Sequence, residues 1–230
     1  MARTFIKNLN EISIKDFDTV GGKNSSLGEM ISNLSELGVN VPGGFAITSS
    51  AFDEFLSSSK IDKVISKELA NLNVENLSDL RRVGKKLRGL ILKTPLPQNL
   101  ISEIEHAWLG VSQSGKSFAV RSSATAEDLP DASFAGQQET FLNIDGFDNL
   151  IDAVRKVYAS LFTDRAISYR RLRNFKGSLS ISVGVQEMVR SDIGSSGVAF
   201  TLDTESGYRG SIFITSSYGL GEGIVQGTVN

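Results

Sequence analysis

The 230 residues are 40% hydrophobic, enough for one large or two small domains with a buried core. Lys plus Arg total 24 against 26 for Asp plus Glu, a net charge of -2, which argues against a nucleic-acid grip, and no block of like charge marks a membrane-surface patch. The absence of cysteine removes a disulfide framework, a thiolate nucleophile and a Cys-ligated metal together, and fits a reducing compartment.

The N-terminus MARTFIKNLNEIS lacks the apolar core of a signal peptide, and no later run approaches the roughly 18 apolar residues of a membrane span. The expectation is a cytoplasmic protein without membrane or nucleic-acid partners. Leu27, Met30, Ile31 and Leu34 fall on one helical stripe, followed by a turn at Val41-Pro42-Gly43-Gly44. Phe45-Ala46-Ile47 predicts a short strand, and Ser50 is the candidate N-cap of a helix over AFDEFL. Helical spacing continues through Ile61, Val64, Ile65, Leu69, then Leu80, Val83, Leu87, Leu90 after the candidate cap Ser78, then Ile101, Ile104, Trp108. Residues 1–115 therefore predict a mostly helical lobe with little sheet.

Residues 116–230 change character and predict a sheet-containing lobe. SFAV (117–120) and FLNI (141–144) are strand-like, a helical stretch from Asp148 to Asn174 carries Leu150, Val154, Val157 and Leu161 on one stripe, and three more strands are predicted within SISVGVQEMV, GVAFTL and SIFIT. The predicted class is α+β, with two lobes packed as one unit.

Two candidate phosphate sites stand side by side in GVSQSGKSFAVRSS, residues 110–123. Gly110, Gly115, Lys116 and Ser117 satisfy the G-x-x-x-x-G-K-[ST] pattern of a P-loop. A working P-loop follows a strand and opens a helix, whose backbone N–H groups hold the phosphates. Here a helical pattern precedes and a strand follows, which predicts a polar connector with Gly110 as the helix C-cap. Arg121 stands at the end of the strand FAV, where its planar guanidinium could grip phosphate oxygens or pair with Glu127, Asp128 or Asp131. Local chemistry leaves these two open.

A wider pattern bears on the choice. The run FAVRSSATAEDLPDASFAGQQETFLNI (118–144) closely resembles the nucleotide-binding domain of the phosphoenolpyruvate synthases (pyruvate, water dikinases), as do VGGKNSSLGEMISNL (20–34), GVNVPGGFAIT (38–48), LFTDRAISYRRLRNF (161–175) and SSYGLGEGIVQGTVN (216–230). The resemblance implies an ATP-grasp-like fold, with ATP and Mg2+ as ligands. Lys23 matches the family's phosphate-binding lysine, placed by Gly21 and Gly22 at a helix start that favours anions. Arg121 matches the arginine on the transferring phosphates, and Gly136 and Thr140 match positions lining the triphosphate. Gln186 falls where the adenine meets a strand edge, with Glu187 and Val189 as backbone hinge contacts.

The resemblance further implies transfer of the β-phosphoryl group of ATP to pyruvate through a phosphohistidine on a separate domain. The single histidine, His106, lies in a helical segment outside any Thr-Cys-His motif and is expected at a helix surface. The family's Asp-Ile-Glu-Trp and Leu-Gln-Ala-Arg segments do not occur up to Asn230, and Asp203, Glu205 and Glu222 cannot be assigned to metal. The expectation is an N-terminal piece of a longer enzyme whose carrier domain and pyruvate-binding barrel lie elsewhere. Antibiotic- or glucan-phosphorylating dikinases, or a non-catalytic nucleotide-binding module, are the alternatives. GLGEG (219–223) is not G-x-G-x-x-G, since Ile224 takes the sixth position.

Overall fold

Alternation along three strands sorts the first 188 residues into two packed faces. The computed structural model describes residues 4–113, 115–124, 128–129, 132–133, 139–172 and 180–228. Its contacts form two units, Met1–Met188 and Val189–Asn230.

The first unit runs β1 (Ile6–Asn8), α1 (Phe17–Leu34), β2 (Gly44–Ile47), α2 (Ser49–Ser58), α3 (Asp62–Ala70), α4 (Leu77–Lys93), α5 (Gln98–Val111), β3 (Phe118–Ala124), β4 (Asp128–Leu129), β5 (Ala132–Ser133), β6 (Thr140–Ile144), α6 (Phe147–Ser160), α7 (Asp164–Leu172) and β7 (Ile181–Glu187). Five strands make one antiparallel sheet in the order β1-β2-β7-β3-β6, while β4 and β5 pair with each other. The larger sheet takes β1 and β2 from before residue 115 and the other three strands from after it. Helices and antiparallel sheet thus mix, as an α+β chain requires.

Phe45 and Ile47 of β2, Phe118 and Val120 of β3, and Ile181, Val183 and Val185 of β7 are buried in the larger core. That core also takes Phe52 and Phe55 of α2, Leu80, Val83, Leu87 and Ile91 of α4, Leu100, Ile104 and Trp108 of α5, and Leu150, Val154 and Val157 of α6. The intervening strand residues face the other way. There Ala46 packs with Leu9, Ile12, Val20 and Leu27 in a second, smaller core beneath α1.

Several local expectations are corrected. The cap of α4 is Asn76, not Ser78, because Asn76 Oδ1 accepts from Ser78 N at 3.0 Å and Asp79 N at 3.2 Å. Thr48 precedes α2, so Ser50 lies within its first turn. Gly110 lies inside α5, which ends at Val111 with Ser112 as C-cap. Met30 and Val64, placed on buried stripes by spacing, are exposed. The helical stretch expected over 148–174 comprises α6 and α7 among the described residues, with a turn at Leu161–Phe162 that buries both side chains and Thr163 Oγ1 accepting from Ala166 N at 3.2 Å. Arg88 of α4 reaches Phe162 O at 2.6 Å and Asp164 at 3.1 Å, and Arg170 donates to Leu161 O at 2.5 Å, its guanidinium brought down to about 10 by burial.

The second unit is an antiparallel hairpin of β8 (Ser195–Phe200) and β9 (Phe213–Tyr218), followed by the four-residue α8 (Glu222–Val225). An antiparallel pair with so short a helix is not the parallel βαβ unit a dinucleotide fingerprint needs. No helix of the described residues is long and apolar enough to cross a membrane.

Candidate nucleotide site

The face of the sheet turned toward α1 changes along its width. On β2 Ala46 lies in the smaller core; on β7 and β3 Ser182, Gly184, Gln186, Arg121 and Ser123 share the face, and Thr140 extends it onto β6. Arg121 pairs in register with Gly184 of β7 on one side and Thr140 of β6 on the other, and Ser123 pairs with Ser182. Directly opposed residues of antiparallel strands project to one face. Thr140, Arg121 and Gly184 therefore form one row across three strands.

The position of Thr140 in this row depends on a bulge. Phe118 opposes Ile144, but Val120 opposes Phe141, so β6 carries one extra residue between them. Asn143 absorbs it at φ 56, a left-handed conformation that Asn tolerates better than most residues. Without the extra residue Phe141 would stand opposite Arg121. Nothing in the alternation of FLNI announces this bulge, although an Asn at its third position is the one residue suited to it.

Lys23 belongs to the same face. The break in α1 falls at Gly21, whose φ 75 and ψ 169 leave the helix, and the helix resumes with Lys23 in its new first turn. A Cβ on Gly21 would strike the backbone and hydroxyl of Ser123, so only glycine lets α1 approach β3 this closely. Asn24 N donates to Ser123 Oγ at 3.2 Å, and Asn24 Nδ2 donates to Ser182 Oγ at 3.1 Å. The helix start carrying Lys23 is thus docked two residues along β3 from Arg121, on the face to which Arg121 projects. Both side chains are partly exposed.

Lys116 is placed differently. It stands in the connector between α5 and β3, beside Gly115 at φ +83, and its Nζ pairs with Glu187 Oε2 at 2.7 Å. A helix before and a strand after are the reverse of a P-loop. Phe118 pairs with Glu187, which puts the Glu187 side chain on the opposite face from Arg121.

Among the adenine candidates, Gln186 lies on the Arg121 face between Ala119 and Gly44, with Nε2 donating to Pro42 O at 3.0 Å. The backbone N–H of Glu187 donates to Gly43 O at 3.0 Å, so that donor is already engaged. Val189 opens the second unit, is 64% exposed, and accepts from Ser191 N at 2.8 Å. Gly136 lies outside the described residues. His106 is exposed on α5, in a groove of about 590 Å3 with Ile6, Asn8 and Glu103.

Among the described residues no group of three or more His, Asp or Glu could hold a metal. Asp203 is occupied in its own turn, accepting from Glu205 N at 3.1 Å and Ser206 Oγ at 2.5 Å, and the Ser206 hydroxyl holds its carboxyl below the usual range.

Residues 17–230 match the family described as pyruvate phosphate dikinase, AMP/ATP-binding domain. The chain belongs to this family. As a pyruvate phosphate dikinase AMP/ATP-binding domain it is similar to several curated relatives. It is 57% identical over 235 residues to phosphoenolpyruvate synthase of Neisseria meningitidis, covering 100% of this chain and 30% of that protein. It is 52% identical to the phosphoenolpyruvate synthases of Pseudomonas aeruginosa, over 98% of this chain and 29% of that protein, and of Escherichia coli, over 96% and 28%. The chain spans about three tenths of the length of these relatives. The family's description names AMP and ATP as what such a domain binds.

Proposed function

We propose that this chain is the nucleotide-binding part of a phosphoenolpyruvate synthase with an ATP-grasp-like fold. It holds ATP while the β-phosphoryl group passes to a histidine on another part of the full-length protein and then to pyruvate, giving phosphoenolpyruvate, AMP and phosphate. The observation that carries this reading is the row Thr140, Arg121, Gly184 with the Lys23 helix docked on its face.

In this reading Arg121 neutralises charge on the oxygens of the phosphoryl group in flight, where phosphoryl transfer gains most, since the guanidinium presents paired donors in a fixed plane. Lys23 adds a second cation at a helix start, the positive end of the helix dipole, which already favours anions. The Thr140 hydroxyl and the Gly136 N–H complete the triphosphate contacts. Gln186, Glu187 and Val189 border the adenine, Glu187 through its carbonyl because its N–H is engaged.

Mg2+ accompanies ATP and usually needs only one or two protein carboxylates beside the phosphates. Among the described residues no group of three or more His, Asp or Glu could hold it. A cytoplasmic location and a role in gluconeogenesis follow from the same proposal.

The test is an ATP titration of the chain and of the protein extended through its continuation, with turnover measured in both. At least tenfold tighter binding by the extended form, together with conversion of pyruvate and ATP to phosphoenolpyruvate, AMP and phosphate by that form alone, is expected. Equally tight binding by both forms would show that the site is complete in this chain. Failure of the extended form to use pyruvate would reject the acceptor.

A further inference from the structure

Asn24 is fully buried, as are Ser123 and Ser182, in a place where a strand–helix contact would ordinarily be apolar. Burying an amide is unfavourable unless its hydrogen bonds are met, and here Nδ2 has two partners while the buried Oδ1 has none among the described residues. At the break at Gly21, Asn24 N donates to Ser123 Oγ at 3.2 Å. The Asn24 side chain reaches back across the same break, where Nδ2 donates to the carbonyl of the fully buried Val20 at 3.1 Å. The second proton of the same Nδ2 goes to Ser182 Oγ at 3.1 Å.

One residue therefore ties four places together: the segment before the break, the segment after it, β3 and β7. Only a side chain with two donor hydrogens on one nitrogen can do this at so short a reach. Aspartate has the shape but no donor, and serine has one donor. Gly184 makes the space, since a Cβ there would meet Asn24 Oδ1. Ser25 Oγ, donating to Gly22 O at 3.0 Å, braces the same turn.

We propose that Asn24, acting with Ser123, is a positioning residue for nucleotide binding: it splints the broken helix and fixes the turn that carries Lys23 against the strand that carries Arg121. The proposal rests on the nucleotide reading given above. Asn24 itself touches no ligand; it removes the freedom of the Lys23 turn to slide or rotate over the sheet, so that the cation is in place before ATP arrives.

Hydrogen–deuterium exchange over residues 22–28 and ATP affinity are to be measured together on the wild-type chain and on Asn24→Ala, Asn24→Asp and Ser123→Ala, with Lys23→Ala and Arg121→Ala as site controls. Ser123→Ala removes only one hydroxyl and is the variant that keeps the fold if an Asn24 variant does not. The expected result is at least tenfold faster exchange over 22–28, unchanged exchange in α4 to α6, and at least tenfold weaker ATP binding in Asn24→Ala and Asn24→Asp, with a smaller change of the same kind in Ser123→Ala. Unchanged exchange over 22–28 in all three overturns the splint. Faster exchange with wild-type ATP affinity in Asn24→Ala, while Lys23→Ala and Arg121→Ala lose binding, overturns its positioning role. Wild-type affinity in Lys23→Ala and Arg121→Ala, with faster exchange in Asn24→Ala, supports the splint and rejects the nucleotide reading instead.

Discussion

Gly184→Ala is expected to destabilise the protein entirely through a neighbour. The new methyl would enter the space of Asn24 Oδ1, with Asn24 Cγ at 3.3 Å and Nδ2 at 3.5 Å behind it. The amide cannot give way cheaply, being held by Val20 O and Ser182 Oγ at 3.1 Å each. Displacing it breaks two hydrogen bonds worth about 1 kcal/mol each and can strand a buried carbonyl, at about 1–3 kcal/mol. Replacing glycine returns about 0.4–1 kcal/mol by restricting the unfolded chain. The net loss is about 1–5 kcal/mol. The assay is urea unfolding of the wild type, Gly184→Ala, Asn24→Ala and the double variant. In the Asn24→Ala background the second change should cost nothing or stabilise by roughly 0.5 kcal/mol, so the two effects fall short of additivity by about 1–5 kcal/mol. Equal cost in both backgrounds, or no cost in the wild type, would refute the reasoning.

The bulge gives a second contrast: Asn143→Gly should leave stability within about 0.5 kcal/mol, while Asn143→Val should cost about 1–2 kcal/mol by forcing a β-branched residue to positive φ, both read by urea unfolding. Equal effects would remove the bulge from the argument. Leu87→Ala, at a fully buried position of α4, should cost about 2–5 kcal/mol, and a loss below 1 kcal/mol would mean that α4 is not packed as described. Asp16 is held below its ordinary 3.8 by its hydrogen bond to Lys7 and then by Ser13, so its contribution is present above 3.8 and fades as pH falls through the lower folded value. At neutral pH Asp16→Asn should therefore be less stable by at most about 1 kcal/mol, the pair being partly solvated, and the gap should close in acid; a gap constant across that range contradicts the assignment.

Much of the fold was legible because burial follows period. Alternation in SISVGVQEMV marks β7, although Ser182 and Gly184 are buried along with its apolar residues and the strand is not half-buried as alternation suggests, and Leu150, Val154, Val157 and Leu161 form the buried stripe expected of them. What spacing could not supply was local detail: Asn76 outcompetes Ser78 as a cap, and the turn between α6 and α7 falls at the buried pair Leu161–Phe162, which no polar break in the pattern marks. At the site, the chemistry of Arg121 and the glycines before Lys23 were visible in the sequence, and the order of helix and strand around Lys116 sufficed to set the P-loop pattern aside. The row itself was not visible, because the alignment of Thr140 with Arg121 depends on one residue at Asn143, and the docking of Lys23 depends on the hydrogen bonds of Asn24 to Ser123 and Ser182. Both are pairings between segments far apart in the chain, which no local pattern encodes.

The central claim is that phosphates are gripped at the end of β3 and not in the connector before it. Calorimetric titration of ATP into the wild type, Arg121→Ala and Lys116→Ala tests it most directly. Arg121→Ala should weaken binding by at least tenfold, while Lys116→Ala, which breaks only a half-exposed ion pair with Glu187, should stay within about twofold of the wild type. Loss of binding in Lys116→Ala with Arg121→Ala unaffected would contradict the account.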